Sequence, residues 1–268
     1  MKLNIISDIH RNNLKAGKVV WETWDPDKLE PADYLVVAGD LGLKNTWDKV
    51  YKELKEKTSD KFKDVLAIEG NHDLWGNNTV LRFAHPEKAP KAKDAKYIDV
   101  VDGDVAIFGV STWAPLDIND RDGWIVERGM NDFNWIKGWS AKTQTEYFRE
   151  CCKWIHDKYK EYEGKKRVIV THTGPRKELI SDRYADEISA DGKYFGLNAT
   201  YCVCDDSFAD LKPDLWIWGH SHGFDDQTID GVRYIRNAVG YHGMTWGYPD
   251  KYPEIIDTSH WYNTVVEV

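Results

Sequence analysis

The sequence is short of cysteine, and its cysteines are not spaced for metal binding or disulfide chemistry. Only four occur among 268 residues, as Cys151-Cys152 and as Cys202 and Cys204 with one residue between them. Zinc ribbons and redox motifs use a C-x-x-C spacing, which neither pair has. We therefore expect no structural zinc site and no disulfide framework, and this usage is typical of a reducing compartment.

Long apolar runs are also lacking. The first run, Leu3–Ile6, is too short for the core of a signal peptide. No later stretch approaches the roughly 20 apolar residues that a membrane-spanning helix needs. From these two observations we predict a cytoplasmic protein with no membrane segment.

Positive charge is in deficit. Lysine and arginine total 36 against 45 aspartates and glutamates, which gives a net charge of -9 and a pI near 5.5. Such a surface repels polyanions, so the binding of duplex nucleic acid is disfavoured. A small phosphorylated substrate remains compatible with this charge, because bound metal cations dominate the electric field of their own site.

Apolar and aromatic residues, in contrast, are plentiful. The hydrophobic fraction is 41%, with 13 tryptophans and 14 tyrosines, which is enough to build a large core. No repeat, low-complexity tract or linker divides the chain. We therefore predict a single domain over residues 1–268.

Apolar runs of strand length recur along the chain, and several are too uniformly apolar for a sheet with one wet face. Asp102-Gly103 and Asp230-Gly231 suit tight hairpin turns, while Thr46–Lys57 and Lys142–Tyr162 have helical spacing. The sequence thus predicts an α/β protein with mixed sheets. The predicted strands are Leu3–Ile6, Tyr34–Ala38, Val65–Ile68, Ile98–Val101, Val105–Val110, Val168–Val170, Leu215–Trp218, Val232–Ile235 and Thr264–Val266.

Residues 112–140 interrupt this rhythm and are predicted to form an insertion. They contain Trp113, Trp124, Trp135 and Trp139 among polar residues, with little periodicity. Tryptophans of this kind suit a lid that covers a site and stacks on a substrate ring. They also suit a small satellite core under a long loop, which is the favoured of the two roles.

Residues able to bind metals follow the predicted strands directly. Ligands of open α/β sheets bind beyond the carboxyl ends of the strands, so five separate segments are predicted to meet at one rim. Each segment alone is weak evidence, since short motifs often occur by accident, but the ordered set is not. The residues are Asp8 and His10, Asp40, Asn71 and His72, His172, and His220 and His222.

This ordered set resembles the motifs of the calcineurin-like metallophosphoesterases, and it spans residues 8 to 222. The resemblance implies an α/β fold, a four-layer sandwich of two mixed β-sheets flanked by helices. It also implies two divalent metal ions about 3.5 Å apart. The matching elements are Asp8-Ile9-His10, Gly39-Asp40, Gly70-Asn71-His72-Asp73, Thr171-His172 and Gly219-His220-Ser221-His222.

The resemblance also divides the ligands between the two ions, with Asp40 bridging both. Carboxylate, imidazole and amide donors suit Mn, Fe, Zn or Ni and do not distinguish among them; manganese is one candidate. The first ion would be held by Asp8, His10 and His222, and the second by Asn71, His172 and His220.

The implied activity is hydrolysis of phosphate mono- or diesters by attack of a metal-bound hydroxide. His72 would donate a proton to the leaving group or stabilise charge opposite the metals, and Asp73 would orient His72 or, equally, act as a solvent-exposed cap. Many relatives follow the second motif with an Asp and an Arg, whereas Leu41-Gly42-Leu43-Lys44 follow it here. We therefore do not expect protein-phosphatase activity.

Three further residues are candidates for substrate binding. Arg11 and Arg176 follow two of the motifs and could reach a phosphate, although arginines are also ordinary surface residues. Trp75 lies close to His72 in the sequence and could line a pocket.

The predicted substrate is a small or nucleotide-like phosphorylated molecule. The first alternative is a nuclease or a nucleic-acid end-processing phosphatase, which the acidic charge disfavours. The second is a non-catalytic binding scaffold, which would usually lack part of the ligand set that is complete here. The sequence does not indicate an oligomeric state.

Overall fold

Two mixed β-sheets form the centre of the computed structural model, and the first has four strands. In this sheet β1 (Lys2–Ile6), β4 (Tyr34–Ala38) and β5 (Asp64–Ile68) are parallel neighbours, and β12 (Val265–Glu267) pairs antiparallel with β1. β4 is buried along its whole length, as its uniformly apolar sequence predicts. The structure describes residues 1–11, 14–15, 18–19, 24–76, 89–116, 121–180, 206–240 and 260–268.

The second sheet has six strands in the order β10-β11-β9-β8-β7-β6. Its four inner strands are parallel, and its two outer strands are antiparallel hairpin partners of their neighbours. Both hairpins turn where the sequence predicts, with positive φ angles at Gly103, Asp230 and Gly231. The strands are β6 (Tyr97–Asp102), β7 (Val105–Val110), β8 (Lys166–Val170), β9 (Leu215–Trp218), β10 (Gly223–Ile229) and β11 (Val232–Ala238).

A short ladder that the sequence does not predict precedes the second strand of the first sheet. It consists of β2 (Leu14–Lys15) and β3 (Lys18–Val19), which pair antiparallel. Two residues in each strand are too few for a period-2 pattern to show.

The two long helices lie where helical spacing predicts them. α1 (Trp47–Lys57) buries Trp47, Val50 and Leu54, which share one face. α4 (Ala141–Glu161) begins at a capping box in which Ser140 and Thr143 each accept from the other's backbone N–H.

The predicted insertion is more regular than its sequence indicates. It contains α2 (Arg121–Gly129) and α3 (Asp132–Trp135), which have nine and four residues. Helices this short complete too few turns for an apolar period to stand out. Trp113 and Trp139 are buried in the core beside α4, whereas Trp124 is 52% exposed. Two of the four tryptophans therefore take the core role.

Apolar side chains form three layers of core that order the elements. One layer lies between the two sheets, where Ile5 and Val36 of the first sheet meet Ile107 and Ile217 of the second. A second layer joins the first sheet to α1, and a third joins the second sheet to α4. The result is a four-layer α/β sandwich, which confirms the predicted fold. Among the described residues, no helix has both the length and the apolar character needed to cross a membrane.

Candidate metal centre

The carboxyl ends of five parallel strands bring the predicted metal-binding residues to one place. β1, β4 and β5 belong to the four-stranded sheet, and β8 and β9 to the six-stranded sheet. Because each group of strands is parallel and in close register, their following loops meet at the same edge. The donors therefore come from both sheets: Asp8, His10, Asp40, Asn71 and His72 from the first, and His172, His220 and His222 from the second.

Four of these residues adopt a left-handed backbone conformation. The φ angles are 54° at Asp8, 49° at His10, 54° at Asp40 and 67° at His220. Residues other than glycine rarely adopt this conformation, which costs about 1–2 kcal/mol. Strain of this kind clusters at functional sites. Here it turns each side chain sharply at the end of its strand.

Glycines beside the donors lack side chains and so leave the space that the donor side chains occupy. A Cβ atom at Gly219 would lie 2.7 Å from Oδ2 of Asp8. A Cβ atom at Gly70 would collide with Oδ1 of Asp40 and the ring of His172. The glycines of the Gly-Asn-His and Gly-His-Ser-His motifs are therefore required by the packing of the site, since any side chain would displace a donor.

The first group of donors consists of Asp8, His10 and His222, whose ligand atoms lie within 4.8 Å of one another. The Nε2 atoms of His10 and His222 face each other at 3.1 Å. They lie 3.9 and 3.5 Å from Oδ1 of Asp8. That oxygen is buried and accepts no hydrogen bond from any residue the structure describes. A buried carboxylate oxygen facing two ring nitrogens suits a cation placed among them.

A second group of donors surrounds the side-chain oxygen of Asn71. Its Oδ1 lies 3.0 Å from Nε2 of His172 and 3.1 Å from Nδ1 of His220. The other ring nitrogen of His172, Nδ1, lies 2.8 Å from the carbonyl oxygen of Ala38, to which it can donate. With Nδ1 engaged in that bond, Nε2 is the nitrogen that faces the site and would bind a metal, the arrangement usual for a metal-binding histidine.

Asp40 lies between the two groups. Its Oδ2 is 3.7 Å from Nε2 of His10, and its Oδ1 is 3.5 Å from Nε2 of His172. The backbone N–H of His72 donates to the same Oδ1 at 2.9 Å. Asp40 thus faces a histidine of each group. Oxygen and nitrogen donors in this arrangement fit two divalent cations of the Mn, Fe, Zn or Ni type.

Burial and charge shift the protonation of these groups in opposite directions. Burial lowers the pKa of His10 and of His220 well below the usual value, so these rings are neutral, as metal binding requires. Burial raises the pKa of Asp40 to about 6. Burial also disfavours a charged His172, but the facing Asp40 carboxylate raises its pKa to about 10. A cation must displace this proton to bind.

His72 and Trp75 form a stacked pair beside the donors. Their ring centroids lie 3.7 Å apart with the planes 23° from parallel. Trp75 continues the stack toward Trp135 of α3, at 6.1 Å. On its other side His72 meets the ring of His10 edge-on at 4.6 Å. The structure therefore places both His72 and Trp75 at the rim, as the sequence predicts.

Asp73 has a different set of contacts from the one predicted. Its Oδ1 accepts the backbone N–H of Gly42 at 2.7 Å, and its Oδ2 accepts those of Gly70 at 2.7 Å and Leu41 at 3.3 Å. These bonds join the loop after β4 to the loop after β5. Burial and the neighbouring Asp40 raise the pKa of Asp73 to about 7. Its described bonds brace the backbone rather than the ring of His72.

The two candidate arginines lie in unlike places. Arg11 is buried beside the centre, and its Nε donates to the carbonyl oxygen of Ile9 at 2.9 Å. Arg176 pairs with Glu178 and with Asp230, both at 2.8 Å. Asp230 forms the turn between β10 and β11, at the opposite end of that hairpin from the metal centre. The structure therefore does not bring Arg176 to the predicted rim.

One residue of the centre was missed by the sequence analysis. Asp132, the first residue of α3, is only 1% exposed, and its Oδ1 accepts hydrogen bonds from Nδ2 of Asn71 at 3.0 Å and from Nε1 of Trp75. It follows no strand and belongs to no motif. Its only signal in the sequence is an acidic side chain within the tryptophan-rich residues 112–140. Several other residues of that segment are also acidic, so this signal does not single it out.

Comparisons with known proteins agree with this geometry. The family model described as calcineurin-like phosphoesterase matches residues 1–224. An uncharacterized protein of Acanthamoeba polyphaga mimivirus is 23% identical over 263 residues, which covers 89% of this chain and 91% of that protein. The crystal structure of a phosphopantetheinyl hydrolase from Mycobacterium tuberculosis has a TM-score of 0.61 at 17% identity, and covers 97% of this chain and 94% of the hydrolase. This last likeness concerns the fold alone.

Proposed function

The chain belongs to the family of calcineurin-like phosphoesterases, and we propose on this basis that it hydrolyses small phosphate monoesters or diesters of nucleotide-like size. As a member of that family it is a phosphoesterase that uses two divalent metal ions. The preference for a small substrate is our own inference. It rests on the stacked wall of His72, Trp75 and Trp135 beside the donors.

We assign the ligands as two sets that share Asp40. This assignment is supported by the two groups of converging donors and by the position of Asp40 between them. When bound, the two cations would acidify a shared water and withdraw charge from the phosphate. The first set is Asp8, His10 and His222, and the second is Asn71, His172 and His220.

His72 is assigned to hydrogen bonding at the leaving-group oxygen. Burial lowers the pKa of His72 well below its usual value, so its ring is neutral near pH 7 and retains one N–H donor. The stack against Trp75 holds the plane of this ring. A positioned donor of this kind can stabilise the charge that develops on the departing alkoxide by a hydrogen bond, while solvent supplies the proton that the alkoxide takes up.

The wall and the charge of the chain both favour compact substrates. Trp75 and Trp135 are half-buried and present parts of flat apolar rings close to His72. Such surfaces can stack on a base or another ring. A net charge of -9 works against long polyanions, whose many phosphates would each meet this surface. Arg11 remains a candidate phosphate contact because it is buried beside the donors.

The test is a substrate screen with defined metals. Purified protein is freed of metal, loaded in turn with Mn²⁺, Fe²⁺, Zn²⁺ and Ni²⁺, and assayed on nitrophenyl phosphate, bis-nitrophenyl phosphate, nucleotides, cyclic nucleotides, and single- and double-stranded DNA. We expect metal-dependent cleavage of small esters and little cleavage of duplex DNA. Faster cleavage of DNA than of any small ester would instead establish a nuclease, and no cleavage of any substrate with any metal would contradict the enzymatic proposal.

A further inference from the structure

Asp132 connects the insertion to the metal centre through a single carboxylate oxygen. The residue is buried, and its Oδ1 accepts from Nδ2 of Asn71 at 3.0 Å and from Nε1 of Trp75. Asn71 lies in the loop after β5, 61 positions earlier in the chain. One acceptor atom thus contacts two residues of the rim.

The contact with Asn71 fixes which end of its amide faces the donors. The oxygen and nitrogen of an asparagine side chain are nearly equal in size, so packing alone would allow either orientation. An ionised carboxylate only accepts hydrogen bonds, so the NH₂ group must point to Asp132. The oxygen is then directed at His172 and His220, at 3.0 and 3.1 Å. The reverse orientation would present two N–H donors to the metal position.

The contact with Trp75 fixes the plane of the stacked wall. The indole nitrogen of tryptophan is a donor only, so its bond to Asp132 sets the rotation of the ring. His72 stacks on this ring at 3.7 Å. The orientation of the His72 ring therefore depends on the same oxygen of Asp132 that orients Asn71.

We infer that Asp132 is a positioning residue of the metal centre, which directs the oxygen of Asn71 to the metal and holds Trp75 under His72. This inference rests on the proposed role of Asn71 as a ligand. Carboxylates that orient ligands from behind are well known around metal sites, and their loss typically weakens metal binding about 10- to 100-fold. Asp132 is supplied by α3, so the insertion takes part in building the centre.

The test compares metal binding, not activity, among five variants. Metal-free protein is titrated with Mn²⁺ by calorimetry for the wild type, N71A, D132A, the double variant N71A/D132A, D132N and N131A. Asn131 is the matched control, because it is the exposed neighbour of Asp132 and its side chain caps no helix. We expect D132A to weaken one of the two Mn²⁺ affinities about 10- to 100-fold. D132N should retain most of that affinity, because its carbonyl oxygen still accepts both bonds, and N131A should bind as the wild type does.

The double variant decides whether Asp132 acts through Asn71. If it does, N71A/D132A should bind no more weakly than N71A alone, because the partner on which Asp132 acts is already gone. Losses that multiply, normal binding by D132A beside impaired N71A, or equal loss in D132A and D132N would overturn the inference. Normal binding by N71A would instead contradict the proposed ligand set itself, so the two failures are distinguishable.

A second measurement covers the case in which D132A does not fold. The indole N–H signal of Trp75 is identified in nitrogen-15 spectra by its absence in W75F. In D132N this signal should move upfield, because a neutral carbonyl is a weaker acceptor than a carboxylate. An unchanged signal would show that the indole does not contact Asp132.

Discussion

Left-handed backbone at four donor residues places a conformational cost on the centre. His220 has a φ angle of 67°, whereas its neighbour Ser221 is not in that region. A residue other than glycine is retained at such a position despite the strain in its backbone. This is typical of a residue that is required for function.

This strain predicts that a glycine variant at position 220 is more stable than an alanine variant, which reverses the usual order. Without metal, H220G should be more stable than H220A by about 1 kcal/mol, because glycine alone adopts positive φ without strain. At Ser221 the order should be reversed, since alanine loses less backbone entropy than glycine. Urea unfolding of the four proteins in a chelator measures both differences. An H220A that equals or exceeds H220G would show that the turn relaxes.

His72 lies close enough to two donors to be a ligand itself. It forms a possible metal-holding group with His10 and Asp40, within 4.8 Å. We expect H72A to keep two metal ions per chain and to lose roughly 10²–10⁴-fold in kcat, the usual contribution of a positioned acid. Elemental analysis together with the kinetics tests this. Loss of one ion in H72A would make His72 a ligand and contradict the assigned role.

At the scale of elements, Asp73 connects the loop after β4 to the loop after β5. Its carboxylate binds three backbone N–H groups, which belong to Leu41, Gly42 and Gly70. Those loops also carry Asp40 and Asn71, which belong to the two donor groups. Asp73 thus helps to set the spacing of those donors although it belongs to neither group.

Removal of this brace should cost stability in addition to activity. We expect D73A to lower the free energy of unfolding of the metal-free protein by about 3 kcal/mol, because buried N–H groups without acceptors cost about 1–3 kcal/mol each and water can satisfy some of them. The matched control is D94A, which removes an exposed aspartate from a similar short 3-10 turn. Normal stability with lost turnover would favour the catalytic role that the sequence predicts for Asp73.

The sequence predicts some of these elements well and others not at all. A strand such as Tyr34–Ala38 and the donor that directly follows it lie in one continuous stretch of sequence. The sequence pattern alone therefore predicts both. Asp132 and Asn71 meet across 61 positions, and that contact depends on how side chains pack between loops. The position of the Arg176 side chain could not be predicted for the same reason, because its ion-pair partner Asp230 lies far along the chain.

At the scale of the whole molecule, the centre joins the two sheets. Asp8 and Asp40 come from loops of the four-stranded sheet, and His172 and His222 from loops of the six-stranded sheet. Apolar packing between the sheets and the backbone hydrogen bonds of Ser7 with Asn237 and Val239 also join them. Metal binding should therefore stabilise the folded chain as a unit, and not merely the loops.

Removal of metal should accordingly lower the melting temperature. At a free metal concentration 100 times Kd, binding contributes about 2.7 kcal/mol, which corresponds to roughly 5–10 °C for a chain of this size. Differential scanning calorimetry with Mn²⁺ and with a chelator measures the shift. D40N lacks the carboxylate between the two donor groups and should show little of it. An equal shift in D40N would mean that the metal acts elsewhere.

Because the donors lie far apart in the chain, they are synthesised at different times. Asp8 leaves the ribosome first, and His222 follows 214 residues later. At roughly 5–20 residues per second, that gap lasts about 10 to 40 seconds. During this time Asp8 and His10 lack their partner His222, so the first set of donors is incomplete. Loading of both ions is thus a late event, because it requires a contact between donors that lie far apart in the chain.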